Sequence, residues 1–418
     1  MPGEGRENRL MRFCMVTTFY PPYHFGGDAT YVRALSRALT ARGHEVEVVH
    51  CEDAYRMLSH DRVQGEASDD EGIRVHRLKS RFGLLSPLIT QQTGRPGLKT
   101  RALRAVLDRD FDVVNFHNIS LIGGPAVLKL SRARVTLYTL HEHWLLCPTH
   151  IFWKNRRQVC DKPECIGCTL RSGIPPQLWR YTGMIRRCLN SVDAFIAPSE
   201  FTAQRHRAAG IDKPIHVVPM FSTLDPGPTV GYARPSRPRF LYVGRVTASK
   251  GIAPLLDYFS NRTDVELYVA GEGDLRASLQ QAYADKAHIR FLGHVPQARL
   301  VEIYREATAL IFPSLAPETF GLSIAEAFAC GTPAIVRDAG GSRELIDATG
   351  AGFVYRTETE LHDAVQRLID DEALRAQLGR RARTGFEQWY TPPRHVEAYL
   401  DCIAGILRRK TSQACAPL

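Results

Sequence analysis

The sequence predicts an α/β protein made of two doubly wound, parallel-sheet domains in tandem. Three observations predict it. The chain has 418 residues, more than one ordinary hydrophobic core serves. Short apolar runs alternate with amphipathic helical stretches almost throughout. Near the middle a segment rich in proline and glycine interrupts the alternation, which then begins again. The composition, 44% hydrophobic and 23% charged residues, is that of a globular protein. The expected divisions are residues 1–221, residues 222–390, and a closing helix in 391–418 that packs back on the first domain.

In the first half, "RFCMVTT", "EVEVVH", "IRVHRL", "DVVNFH", "RVTLYTL", "DAFIAP" and "IHVVP" read as strands. Between the first two lies "DATYVRALSRALTARG", where Tyr31, Leu35, Ala38 and Leu39 fall near one helical face. Asp28 reads as its N-cap and Gly43 as a left-handed stop. Strand and helix in alternation predict a parallel sheet covered on both faces. Residues 221–240, with four prolines and two glycines, read as a linker. After them "RFLYVGR", "VELYVAGEG", "IRFLG", "ATALIFPS" and "TPAIV" read as strands of a second sheet. Sheets of this kind bind ligands beyond the carboxyl ends of their strands. A site in a cleft between the two domains is therefore expected.

No apolar run has the length of a membrane-spanning helix, and the polar start "MPGEGRENRL" does not read as a signal peptide. The expected location is the cytoplasm. The net charge of +10 is uneven: 31 Lys and Arg face 22 Asp and Glu before residue 226, and 23 face 22 after it. Within the stretch 79–109, Lys79, Arg81, Arg95, Lys99, Arg101 and Arg104 precede any acid, and "FGLLSPLI" lies among them. Apolar residues inside a basic stretch suit an anionic lipid surface, which would make the protein peripheral at the inner face of the cell membrane. A merely solvated face is the alternative. The stretch carries no nucleic-acid recognition motif.

Three motifs carry chemistry. Gly26 and Gly27 lie between the first strand and the first helix, where a backbone can approach a ligand and a helix start favours an anion. In "YVGRVTASKGI", Gly244 precedes Arg245, and Lys250 follows on the same loop. Such a cation pair suits a diphosphate, with Arg as a fork and Lys as a point charge; plain loop cations are the alternative. "PETFGLSIAEA" places Glu318 on a loop and Glu326 on the following helix. The amides near Gly321 can hold phosphate oxygens, while the carboxylates can accept hydrogen bonds from hydroxyls on either side of it. Neutral polyols flanking an anion describe a sugar nucleotide.

Gly26-Gly27, "TLHEHW" at 139–144, "GR…KG" at 244–251, "GEG" at 271–273, "FLGHV" at 291–295 and the glutamate pair come in the order found in glycosyltransferase family 4. The sequence resembles that family over nearly its whole length. The resemblance implies a GT-B fold, two Rossmann-like domains facing across a cleft. It implies retaining transfer of a sugar from a UDP- or GDP-sugar to a glycan or lipid-linked acceptor, in cell-surface polysaccharide synthesis and without a catalytic metal. It assigns the diphosphate to Arg245 and Lys250. It assigns donor-sugar hydroxyls to Glu318 with the amides of Thr319, Phe320, Gly321 and Leu322, the ribose to Glu326, and the base to the edge at His294 and Val295. It places His141 near the donor sugar. No residue reads as a covalent nucleophile, so a front-face route is expected, the leaving phosphate taking the acceptor proton. Rival readings are another GT-B enzyme, such as a sugar-nucleotide epimerase, or a non-catalytic nucleic-acid-binding protein.

Cys147, Cys160, Cys165 and Cys168 stand apart from these motifs. Four thiolates within 22 positions suit a tetrahedral structural zinc. Unligated buried thiols are the alternative.

Overall fold

The computed structural model describes residues 10–59, 70–224, 226–227 and 236–414. The strands in chain order are β1 (Arg12–Val16), β2 (Glu45–Cys51), β3 (Arg74–Leu78), β4 (Val113–Phe116), β5 (Val135–Thr139), β6 (Trp153–Lys154), β7 (Gln158–Val159), β8 (Ala194–Ala197), β9 (Ile215–Val217), β10 (Arg239–Val243), β11 (Glu266–Ala270), β12 (Ile289–Gly293), β13 (Ala309–Phe312), β14 (Ala334–Arg337) and β15 (Gly352–Tyr355). They form a seven-stranded sheet in the order β3-β2-β1-β4-β5-β8-β9 and a six-stranded sheet in the order β12-β11-β10-β13-β14-β15. Every pair in both is parallel.

Each apolar run read as a strand forms one. Two strand regions lacked a signal. Gly352–Tyr355 is an edge strand of which only Tyr355 is fully buried, so its residues show no long apolar run. The antiparallel hairpin β6–β7 has two residues a side.

The central strands are buried on both faces, which is why β1 and β13 read as continuous apolar runs rather than alternations, while β4 and β5 carry Asn115, Thr136 and Thr139 within equally buried runs. In both sheets strand order reverses beside the first strand, between β1 and β4 and between β10 and β13. These are the switch points at which ligands of such sheets bind. The helix after β1 spans Gly27–Thr40 and buries Tyr31, Leu35 and Leu39. Its N-cap is Gly26, not Asp28, which lies inside the first turn. Gly43, at φ +87°, turns the chain into β2.

Of the expected linker, residues 225 and 228–235 lie outside the described residues. The chain crosses between domains at Phe221–Ser222 and again after Tyr390, and there Ser222 N–H donates to Tyr390 O at 3.0 Å. The helix Pro392–Ala414 then lies along the first domain. Tyr399 is fully buried and accepts from Asn115 Nδ2 of β4 at 2.9 Å. Lys410 Nζ pairs with Asp193 Oδ2 at 2.6 Å. One apolar cluster accordingly runs through Phe13, Tyr31 and Phe221 to Val396 and Phe328, joining both domains.

Candidate active site

The second domain supplies a loop platform at the ends of β10 and β13. Backbone bonds tie the loops together: Gly244 N–H donates to Ala270 O at 3.0 Å, and Val246 N–H to Glu272 O at 2.8 Å. A Cβ on Gly271 would lie 1.9 Å from Gly244 O, so this glycine is dictated by backbone packing. Gly251 has φ +70°, and a Cβ there would lie 2.0 Å from Pro313 O. That contact presses the Lys250 loop onto the end of β13. Lys250 Nζ lies 2.5 Å from Glu318 Oε1, which also accepts from Ser314 Oγ. Glu318 is itself fixed by its backbone, whose N–H donates to Ala339 O and whose carbonyl accepts from Gly341.

Beyond Glu318 the helix Leu322–Ala329 begins without a side-chain cap. Among the described residues, the N–H groups of Thr319, Phe320, Gly321, Leu322 and Ser323 have no acceptor. Free N–H groups at a helix start are donors that an anion can accept from. Phe320 contributes only its amide, because its ring is buried against Tyr390. Glu326 lies one turn on, half-buried, and Tyr304 Oη donates to its Oε2 at 2.9 Å. Loss of solvation raises this carboxyl to about 7.

The first domain closes over this platform. Thr319 Oγ1 donates to His141 O at 2.8 Å. Ser199 Oγ donates to Thr319 O at 2.6 Å. Glu344 accepts from the Glu200 and Phe201 amides at 2.8 and 2.7 Å, capping a first-domain helix from the second domain. Gly27 stands across from the helix start, since a Cβ on it would lie 3.6 Å from Leu322 Cδ2. Gly26 is exposed, and a Cβ there would touch nothing within 4 Å. Its φ of 174° is ordinary extended backbone. Nothing in the fold itself therefore demands this glycine.

His141 Nε2 lies 2.8 Å from His117 Nδ1, and the rings stack. Tyr31 packs edge-on against His141 at 4.8 Å. Burial holds His141 down to about 4, with the Asp28 carboxylate opposing that shift. At neutral pH it is an uncharged hydrogen-bonding ring. Its buried Nδ1 has no partner. When His117 donates, that Nδ1 carries the proton and is a donor for a ligand. His395 Nδ1 donates to Pro219 O at 2.7 Å, which leaves its Nε2 to accept from Tyr31 Oη.

The structure thus brings together Gly26, Gly27, His141, Lys250, Glu318, the 319–322 amides and Glu326. Arg245 is exposed beside Gly244, and its guanidinium has no hydrogen bond or ion pair among the described residues. His294 is exposed at the end of β12, its N–H on Glu272 Oε1, and Val295 packs on the joint core. The four cysteines line a separate small cavity. Sequence reasoning passed over His117, Ser199, Glu344 and His395. For His117 a signal existed, because it ends a predicted strand at the edge where ligands bind. Glu344 and His395 are brought in by long-range contacts and carry no local signal.

The family model of glycosyl transferases group 1 matches residues 232–385, and that of Glycosyltransferase Family 4 matches residues 25–221. The chain is 28% identical to the glycogen synthase of Mycobacterium tuberculosis over 91% of this chain and 92% of that one. Its fold is similar to sucrose-phosphate synthase from Thermosynechococcus elongatus, with a TM-score of 0.69, 20% identity, and coverage of 97% of this chain and 100% of the other. It is likewise similar to Anabaena HepE in complex with UDP-glucose, with a TM-score of 0.63, 16% identity, and coverage of 94% and 100%.

Proposed function

Because the chain belongs to glycosyltransferase family 4 and has the GT-B fold, we propose that it moves a sugar, with retained anomeric configuration, from a UDP- or GDP-sugar to a hydroxyl of a glycan or lipid-linked acceptor in cell-surface polysaccharide synthesis. The observation that carries the reading is the run of five unpaired amides at 319–323 beside Lys250. That run offers an anion a set of donors held in place by the backbone, and it is flanked by the carboxylates Glu318 and Glu326. A diphosphate on the amides places one polyol at each carboxylate.

The reaction breaks the bond from the anomeric carbon to the diphosphate oxygen and makes one to the acceptor oxygen. Charge grows on the leaving diphosphate as the bond stretches. Arg245, Lys250 and the helix amides meet that growing charge, the amides being held ready for it by the backbone, so together they hold the transition state more tightly than the ground state. Lys250 exchanges part of its contact with Glu318 for phosphate, which leaves Glu318 able to accept from sugar hydroxyls. The acceptor approaches from the leaving-group face, and its proton passes to the departing phosphate oxygen. No protein nucleophile and no catalytic metal takes part. His141, uncharged, donates or accepts a hydrogen bond at the sugar.

The lipid-facing part of the reading rests on the surface of 79–109. Phe82, Leu84, Leu85, Leu88 and Leu98 are each more than two-fifths exposed, and Arg81, Arg95, Arg101 and Arg104 are exposed among them. Lys99 is not part of that surface. It is 3% exposed, and its Nζ bonds Ser86 and Thr90.

A thermal-shift panel of nucleoside diphosphates and their sugars identifies the donor, since a ligand of the folded state alone raises the melting temperature. With that donor, Lys250→Ala is expected to lower kcat by roughly 10²–10³-fold, on the order of 2.7–4 kcal/mol, by analogy with loss of one oxyanion donor. The anomeric signal of the product, read by NMR, checks retention. A panel in which no nucleotide shifts the melting temperature overturns the proposal.

A further inference from the structure

The cysteine-lined cavity lies outside the donor site. Cys147 comes from the turn after β5, Cys160 from the residue following β7, and Cys165 and Cys168 from the helix Cys165–Arg171. None of the four is in a disulfide. Among the described residues no three His, Cys, Asp or Glu side chains already stand as a ligand set for a metal ion. Capture of an ion therefore involves a turn of the thiols toward a common centre.

The surroundings carry positive charge that neutral thiols leave unbalanced. The Arg180 guanidinium lies 4.9 Å from the ring centres of both Trp144 and Trp179. Its Nε donates to Gln177 Oε1 and its Nη1 to Leu145 O. Its buried Nη2 has no partner. No carboxylate pairs with it among the described residues, and Cys147 and Cys165 are the first of the groups whose charge would act on it. An arginine stays charged in a protein, and a buried charge without a counter-charge is costly. A second sign is the Asn155 N–H, which donates to Cys168 Sγ at 3.3 Å. A thiolate is a far better acceptor for that bond than a thiol.

We propose that Cys147, Cys160, Cys165 and Cys168 together ligate one divalent cation of the zinc class in a structural site that balances Arg180. Four S–H bonds give way to four metal–sulfur bonds, four protons leave to solvent, and no electron moves. The site's net charge is then −2, opposite to Arg180. The ion ties the turn that follows His141 to the hairpin and to the helix Cys165–Arg171. The inference is independent of the donor chemistry.

The test is elemental analysis of the full chain purified without chelator. The expected content is about one zinc per chain. Cys165→Ser/Cys168→Ser is expected to lose it, while Cys188→Ser, a buried thiol elsewhere, keeps it. Should the double variant fail to fold, cobalt exchanged into the wild-type chain decides, by the visible absorption of a tetrahedral thiolate site. Three results overturn the proposal. They are no stoichiometric metal in the wild type, iron with acid-labile sulfide in place of zinc, or a cobalt spectrum of octahedral oxygen ligation.

Discussion

Glu326 is a carboxyl that titrates at about 7, inside the working range of most enzymes. Desolvation sets that value, and Tyr304 works against it by donating to the charged form. A ribose diol donates hydrogen bonds, so it favours the carboxylate. Nucleotide binding should therefore expel a proton wherever the free site holds one, which is below about 7. Affinity for a UDP-sugar, whose diphosphate does not titrate there, is expected to weaken as pH falls from 8 to 6. The slope should approach but not exceed about tenfold per pH unit, the limit for one proton. Titration calorimetry at several pH values checks this, and Glu326→Gln should flatten the profile. An unchanged profile in that variant would remove Glu326 from the ribose. His141 sits at the other extreme: with a value of about 4 it stays uncharged throughout this range and contributes no slope.

At the scale of elements, glycines in the site loops have two different causes, and the structure separates them. Gly251 is left-handed and lies against Pro313 O. Gly251→Ala should lower stability by about 1–3 kcal/mol through backbone conformation alone, with the overlap added, seen as a lower thermal midpoint. Gly26→Ala should leave that midpoint unchanged while weakening donor binding, because the space beside it is open in the protein. Equal loss of stability in both would mean that the Gly26 loop is structural too. The sequence motifs made no such distinction. Strands were legible because burial on both faces writes unbroken apolar runs such as Phe13–Val16 and Ala309–Phe312. The helix start at Leu322 was legible through Gly321 and Ser323. The edge strand Gly352–Tyr355 was not, because an edge needs little apolar length. Nor was the burial of Lys99, since a cation inside a hydroxyl cage looks in sequence like any other basic residue.

For the molecule as a whole, the exposed apolar residues around Leu84 and Leu85 and the arginines beside them predict adsorption to anionic bilayers. Sedimentation with vesicles containing phosphatidylglycerol should carry the protein down, and vesicles of phosphatidylcholine alone should not. Leu84→Glu/Leu85→Glu should abolish the difference while the shift caused by nucleotide persists. Adsorption equal to both vesicle types, or unaffected by the double change, would count against this face. The two domains are latched by Thr319 on His141 and by Glu344 on the 200–201 amides, so residues that read as separate motifs meet only when the whole chain is folded. The helix Pro392–Ala414 carries this further. It contributes Tyr399 and His395 to the interior of the first domain, yet it emerges from the ribosome after the entire second domain. The nascent first domain must therefore wait with an uncovered seam, and its completion is timed by synthesis of the helix that follows the second domain.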